Sequence, residues 1–174
     1  MIKPRPEKVQ ISHSAPVPDT SLASPVCYAD EASNAYSGYA DREELLVFLN
    51  ELLEAERAGA RIAARTATET GDPRIKALLR DIQRDEARWC ALLLRWIAEL
   101  QGDASPRVGD SYKKCLAIAG LKERIAFINR GQGWVVRKLR DMLPRMRDDA
   151  MHADFAEMLT RHEDNIARAN AEMT

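Results

Sequence analysis

A helix seam with a glutamate at its centre constrains this chain more than any other feature. Between residues 75 and 100, the residues taken at alternating steps of four and three positions lie on one face of a helix, and all of them except one are apolar. The seam reads Ile75, Leu79, Ile82, Glu86, Trp89, Leu93, Trp96 and Leu100. Because a buried carboxylate needs a partner, a proton or a metal ion, Glu86 predicts a polar layer inside a helical core, to which other helices contribute.

The rest of the sequence predicts three further long helices, and with them an all-α, antiparallel four-helix bundle. Asp41 followed by Glu44 is a capping-box pattern, and Gly71-Asp72-Pro73 ends one helix and caps the next. A longer loop, residues 102–110, separates the two helical hairpins. Helices are expected over residues 41–70, 73–101 and 111–143, and from residue 148 or 149 almost to the C-terminus.

The first forty residues differ from the rest in composition. Prolines are concentrated before residue 26, and little helical periodicity is present. Tyr28, Tyr36 and Tyr39 suit packing of this segment onto the bundle, and a partner-binding role is the alternative. The predicted organisation is therefore an N-terminal arm over 1–40, partly packed on a bundle over 41–174.

Charge and cysteine usage narrow the function classes. The chain has 26 Lys and Arg against 27 Asp and Glu, which argues against a nucleic-acid or membrane-surface partner. No run is long and apolar enough to span a bilayer, and the N-terminus lacks the apolar stretch of a secretory signal. The three cysteines, Cys27, Cys90 and Cys115, are scattered without a CxxC motif, which favours the reducing cytoplasm.

Hairpin geometry places several polar side chains at the level of Glu86. In an antiparallel helix pair, residues equidistant from the turn lie side by side, so Glu56 is level with Glu86 and Gln132 with His162. Gln132 and His162 also lie at the inward-facing positions of their helices. The predicted layer is Glu56, Glu86, Gln132 and His162, with Asn129, Glu163 and Asn165 at its edge.

Three kinds of chemistry suit such a layer. Two carboxylates and an imidazole can hold a single Fe, Mn or Zn ion with an open position. The same groups also fit a metal-free hydrogen-bond network, with His162 protonated or one glutamate keeping a proton. A small-ligand pocket using the carboxylates as acid and base is the third reading. The candidate metal ligands are Glu56, Glu86, His162, Gln132 and Glu163, and no catalytic residue is assigned.

Three helical stretches carry a further signal: LNELLEAERAGARIA (49–63), IQRDEARWCALLLRWIAELQG (82–102) and LTRHEDNIARA (159–169). They resemble helices of bacterioferritins and other ferritin-like proteins of the rubrerythrin type. The whole chain, including SPVCYADEASNAY and INRGQGWVVRKLRDMLPR, is also similar to an uncharacterised bacterial group of ferritin-like domains. The resemblance implies a ferritin-like bundle whose first ligand glutamate falls on Glu56.

The resemblance also implies a degenerate di-iron site. The two Glu-x-x-His motifs fall on Glu86 with Trp89 and on His162 with Asn165. Where a glutamate is expected, helix three offers Asn129, Arg130 or Gln132. A one-residue shift would make Glu163 a ligand instead. The expected function is a metal-poor or metal-free binding or oligomerisation module. The alternative is a mononuclear metal protein with oxidoreductase-type chemistry at Glu56, Glu86 and His162.

Two further patterns carry predictions. A stripe of small residues on helix two, Ala87, Ala91, Leu94 and Ala98, predicts either a homodimer seam or contact with the N-terminal arm. Gly131 and Gly133 lie inside helix three, where glycine is unfavourable by about 1 kcal/mol relative to alanine. They are expected to make room for Trp89 or Trp134, or otherwise to mark a local irregularity such as a π-bulge.

Overall fold

The protein folds as an all-α, antiparallel four-helix bundle, as predicted. The computed structural model describes residues 38–173. Most of the predicted arm, including Tyr28 and Tyr36, lies outside the described residues, and Tyr39 is exposed. The helices are α1 (Arg42–Glu69), α2 (Pro73–Glu99), the short α3 (Ser111–Leu116), α4 (Leu121–Met142) and α5 (Asp149–Met173), with a 3-10 turn at Leu143–Arg145.

Aspartates cap the starts of three of the long helices. Asp41 accepts the backbone N–H of Glu44 at 2.8 Å, and Asp72 accepts two N–H groups of the first turn of α2. Asp148 likewise accepts a backbone N–H three residues further on. The predicted starts are therefore confirmed. The Glu44 carboxylate, the second half of the predicted capping box, forms a bidentate ion pair with Arg145.

The hydrophobic core consists of two clusters, one at each end of the bundle. The first is formed by the N-terminal halves of α1 and α5 and the C-terminal halves of α2 and α4, and the second by the opposite halves. Neighbouring helices are therefore antiparallel. The first core cluster includes Leu49, Leu53, Trp89, Leu93, Leu139 and Phe155. The second core cluster includes Ile62, Leu79, Ile82, Ile125, Ile128 and Ala169.

The connection from α2 to α4 must run the length of the bundle, because α2 ends at the first core cluster and α4 begins at the second. This crossover, residues 100–120, lies along α1. Glu54 fixes it there: its carboxylate accepts from Ser105 Oγ at 2.6 Å and Arg107 Nε at 2.9 Å, and its carbonyl accepts from Gly109 N at 3.0 Å.

The predicted third helix, 111–143, is wrong at its N-terminal end. Its first turns form α3 and are separated from α4 by residues 117–120. The buried Arg124 stabilises this break, because its guanidinium donates to the carbonyl of Ile118 and pairs with Glu69 on α1. Cys115 of α3 is buried in the second core cluster, as an inward residue of a continuous helix would be. The hydrophobic pattern of the sequence therefore does not reveal the break.

The small-residue stripe of α2 lies on the surface. Ala87, Ala91, Leu94 and Ala98 are all exposed. A homodimer through this face stays a prediction, as does a cytoplasmic location. Within residues 38–173, no helix combines the length and apolarity needed to cross a bilayer.

Candidate functional site

Four polar side chains are buried together between the two core clusters. Glu56, Glu86, Gln132 and His162 come from the four long helices, and each is no more than 4% exposed. All four line one cavity. The structure thus brings together the layer that hairpin geometry predicted.

Glu56 and His162 form a buried pair across the bundle. The imidazole Nε2 lies 3.2 Å from Glu56 Oε1, and Nδ1 lies 2.9 Å from the carbonyl oxygen of Met158. Because that carbonyl only accepts, Nδ1 carries a hydrogen and Nε2 faces the carboxylate. Burial alone would lower the pKa of His162, but Glu56, the Met158 carbonyl and Asp85 together raise it above its ordinary value. The contact with Glu56 therefore favours the protonated, imidazolium form of His162.

Glu86 lies beside this pair with a carboxyl group that resists ionisation. Burial first, and then the nearby Glu56 and Asp85, raise the pKa of Glu86 well above its ordinary value. Among the described residues, its Oε2 has no hydrogen-bond partner, and neither has Oε2 of Glu56. The surroundings of Glu86 therefore favour the protonated carboxyl group over the carboxylate.

Gly59 is a functional residue that the sequence reasoning missed. A Cβ atom at this position would lie 2.1 Å from Glu86 Oε2, so only glycine lets the carboxyl group lie against α1. The available signal was a glycine in mid-helix, three residues after Glu56, where it is unfavourable by about 1 kcal/mol relative to alanine.

The predicted edge of the layer is only partly correct. Asn165 is buried and donates its Nδ2 hydrogen to Asp85 Oδ2 at 2.9 Å. Glu163, by contrast, forms an ion pair with Arg140 at 2.6 Å, and 41% of its side chain is exposed. Its placement in the layer, and the one-residue shift that would make it a ligand, are wrong because the helix turns it toward solvent. Asn129 pairs with Asn170 at the surface.

A cavity of about 390 Å³ leads from the layer to the surface between α1 and α4. This volume lies in the range of about 300–1,000 Å³ that is typical of small-molecule sites. More exposed residues of α1 and the crossover, among them Glu51, Glu54, Gly109 and Ser111, line its outer part. The walls are apolar: Ile62, Phe127, Ile128, Trp134 and Val135.

Gln132 is the least satisfied member of the layer. It is 3% exposed, and both its amide oxygen and its amide nitrogen lack a hydrogen-bond partner in the described part of the protein. A buried polar group left unpaired costs about 1–3 kcal/mol. The cavity therefore has polar atoms at its inner end that a ligand can satisfy.

The two glycines of α4 do not make room for a tryptophan. A Cβ at Gly131 would have no neighbour within 4 Å, and one at Gly133 would meet only Arg137 Nη1, at 3.7 Å. The prediction that these glycines make room for Trp89 or Trp134 is therefore wrong. A π-bulge is also wrong, because the helix is α-helical from Leu121 to Met142. Gly131 instead lines the cavity.

Gly131→Ala is expected to raise the free energy of unfolding by about 1 kcal/mol, because alanine is the better helix former and its methyl group meets open space. Urea denaturation of the two proteins measures this gain. Gly59→Ala is the matched control. Its free energy of unfolding should not rise, because its methyl group displaces the Glu86 carboxyl group. A destabilised Gly131→Ala would show that the helix needs glycine there.

The two described thiols are unreactive. Burial, followed by the charge of Glu56, raises the pKa of Cys90 to about 12, and burial raises that of Cys115 to about 11. Both remain thiols at neutral pH, and the thiolate is the reactive form.

Across residues 38–173, no three His, Cys, Asp or Glu side chains are grouped so as to hold a metal ion.

Comparison with known proteins gives the family and the fold. The family model described as "Domain of unknown function (DUF6306)" matches residues 43–172. A UPF0502 protein from Pelobacter propionicus (strain DSM 2379 / NBRC 103807 / OttBd1) is 35% identical over 95 residues, which are 55% of this chain but only 42% of that protein. The chain therefore matches less than half of the length of this curated relative.

A solved structure, titled as ferritin-like diiron-carboxylate proteins from Bacillus anthracis strain Ames, superposes with a TM-score of 0.56. The alignment covers 76% of this chain and 91% of the other, at 17% sequence identity. This likeness confirms the ferritin-like fold that the helical motifs suggested.

Proposed function

This chain belongs to the DUF6306 family, and we propose that it is a ferritin-like protein that binds a small molecule, without metal, in the interior of its bundle. The observation that carries the proposal is the cavity of about 390 Å³, which ends on buried polar atoms that have no partner within residues 38–173. These atoms are one carboxyl oxygen each of Glu56 and Glu86 and both amide atoms of Gln132. Filling the cavity with a complementary ligand removes their desolvation cost.

A di-iron centre does not fit the residues present. Di-iron sites of this fold take carboxylates from all four helices and a histidine from two Glu-x-x-His motifs. Here Trp89 takes one histidine position, and it is 1% exposed and packed in the first core cluster. Asn165 takes the other position and is bonded to Asp85. We therefore propose that the di-iron site is degenerate.

A mononuclear metal site is the second candidate, favoured by the orientation of His162. Its Nδ1–H donates to a backbone carbonyl, as metal-bound histidines commonly do, and its Nε2 faces Glu56. Glu56, His162 and Glu86 would hold the ion, but as the described residues are placed, these three side chains are not grouped closely enough to coordinate one. A bound Fe, Mn or Zn ion would supply Lewis acidity, or redox chemistry in the case of Fe or Mn.

Metal analysis distinguishes the two candidates. Tag-free protein is expected to contain no stoichiometric metal, as isolated and after incubation with ferrous iron, manganese or zinc followed by desalting. One ion per chain, lost in His162→Ala and kept in Glu163→Gln, would replace the proposal with the mononuclear site. Two ions per chain would overturn both candidates.

A further inference from the structure

The charges around the cavity leave one carboxyl group without a counter-charge. Four glutamates and a single basic residue line the cavity. Three of the glutamates have a basic partner: Glu51 with Lys138 at 2.6 Å, Glu54 with Arg107 at 2.9 Å, and Glu56 with His162 at 3.2 Å. Glu86 has none among the residues that the structure describes. One positive charge, delivered to the inner end of the cavity, would therefore neutralise it.

The unpaired acceptors fit an ammonium group. In the described part of the chain, three buried oxygens at the inner end lack a hydrogen-bond partner: Oε2 of Glu56, Oε2 of Glu86 and Oε1 of Gln132. A primary ammonium carries three N–H donors and no acceptor. Hydrogen bonds to ionised groups are about twice as strong as neutral ones, so such a head group suits this acceptor set.

The aromatic walls do not form a cage for a quaternary ammonium. Phe127 and Trp134 line the cavity, but each ring already carries a cation, from Arg130 and Lys138 respectively, at 5.4 Å from its centroid. Recognition of quaternary ammonium groups uses free aromatic faces. The rings here instead offer apolar surface to the body of a ligand.

From this geometry we infer that the ligand is a primary amine with an apolar body. The ammonium group lies at Glu86 and Gln132, and the apolar body lies along Phe127, Ile128 and Trp134. This inference rests on the proposed function and specifies its ligand class.

Calorimetric titration of the full chain with a matched series tests the inference. The compounds are ω-phenylalkylamines of one to four methylene groups, the corresponding alcohols, carboxylates and N-trimethylated amines. A primary amine is expected to bind at one site per chain. Glu86→Gln should weaken binding at least tenfold and Gln132→Leu several-fold, while the exposed control Glu163→Gln leaves it unchanged.

The outcomes separate the inference from the proposed function. Alcohols that bind as tightly as amines would overturn the inference and leave a small-molecule site. N-trimethylated amines that bind as well as primary ones would also overturn it, because they lack N–H donors. No binding by any member of the series would overturn both. Circular dichroism confirms that each variant is folded.

Discussion

His162→Leu is expected to lower the free energy of unfolding by about 3–5 kcal/mol at pH 7, because it leaves Glu56 buried without its counter-charge. Both side chains of this pair are at most 2% exposed, so the remaining charge is weakly screened by solvent. Leucine fills much of the space of the imidazole. The loss of stability should therefore come mainly from the unpaired charge of Glu56 and only to a small extent from a cavity. Urea denaturation followed by circular dichroism measures the change.

A double-mutant cycle isolates the pair. Glu56→Leu together with His162→Leu removes both charges, and the double variant should be more stable than His162→Leu alone. Protonated His162 contributes stability that is fully present below its ordinary pKa of about 6.5. That contribution is lost as pH rises through its raised folded-state pKa. The coupling energy should thus be smaller at pH 9 than at pH 6, and a coupling that does not change with pH would show that the pair is not ionic.

Glu86→Gln is expected to stabilise the ligand-free protein by about 1–3 kcal/mol at pH 8.5. Burial raises the folded-state pKa of Glu86. Its contribution to stability is therefore present below the pKa of the unfolded state and lost as pH rises through the pKa of the folded state. Glutamine does not ionise, so its contribution does not change with pH. The gain should therefore vanish near pH 4.5 and grow with pH, as measured by urea denaturation at both values.

Glu163→Gln is the matched control, since it makes the same substitution in an exposed ion pair. Its stability should change by no more than about 1 kcal/mol. A loss of stability in Glu86→Gln at pH 8.5, larger than that of the control, would show that Glu86 is ionised in the ligand-free protein and held by an interaction the substitution breaks.

The height of the polar layer could be predicted from sequence because two local rules determine it. Helical periodicity gives the inward positions, and the distance from a short turn gives the level of each residue along the bundle. Glu56 and Glu86 flank one turn, and Gln132 and His162 flank the other, so no tertiary information was needed.

The cavity and the break before α4 could not be predicted in this way, because long-range contacts produce them. Arg124 stabilises the break through Glu69, which is 55 residues away in the chain. Glu54 holds the crossover beside α1 and so forms the outer part of the cavity. Glu163 also faces away from the layer, and its position depends on the helix rotation that pairs it with Arg140.

The contact between Gly59 and Glu86 restricts the order in which the two positions can change during evolution. Any larger residue at position 59 collides with the Glu86 carboxyl group while that group is in place. A chain that keeps Glu86 in this position is therefore expected to keep glycine at position 59. Loss of the carboxyl group at position 86 would lift that restriction, so the two positions are coupled although they lie on different helices.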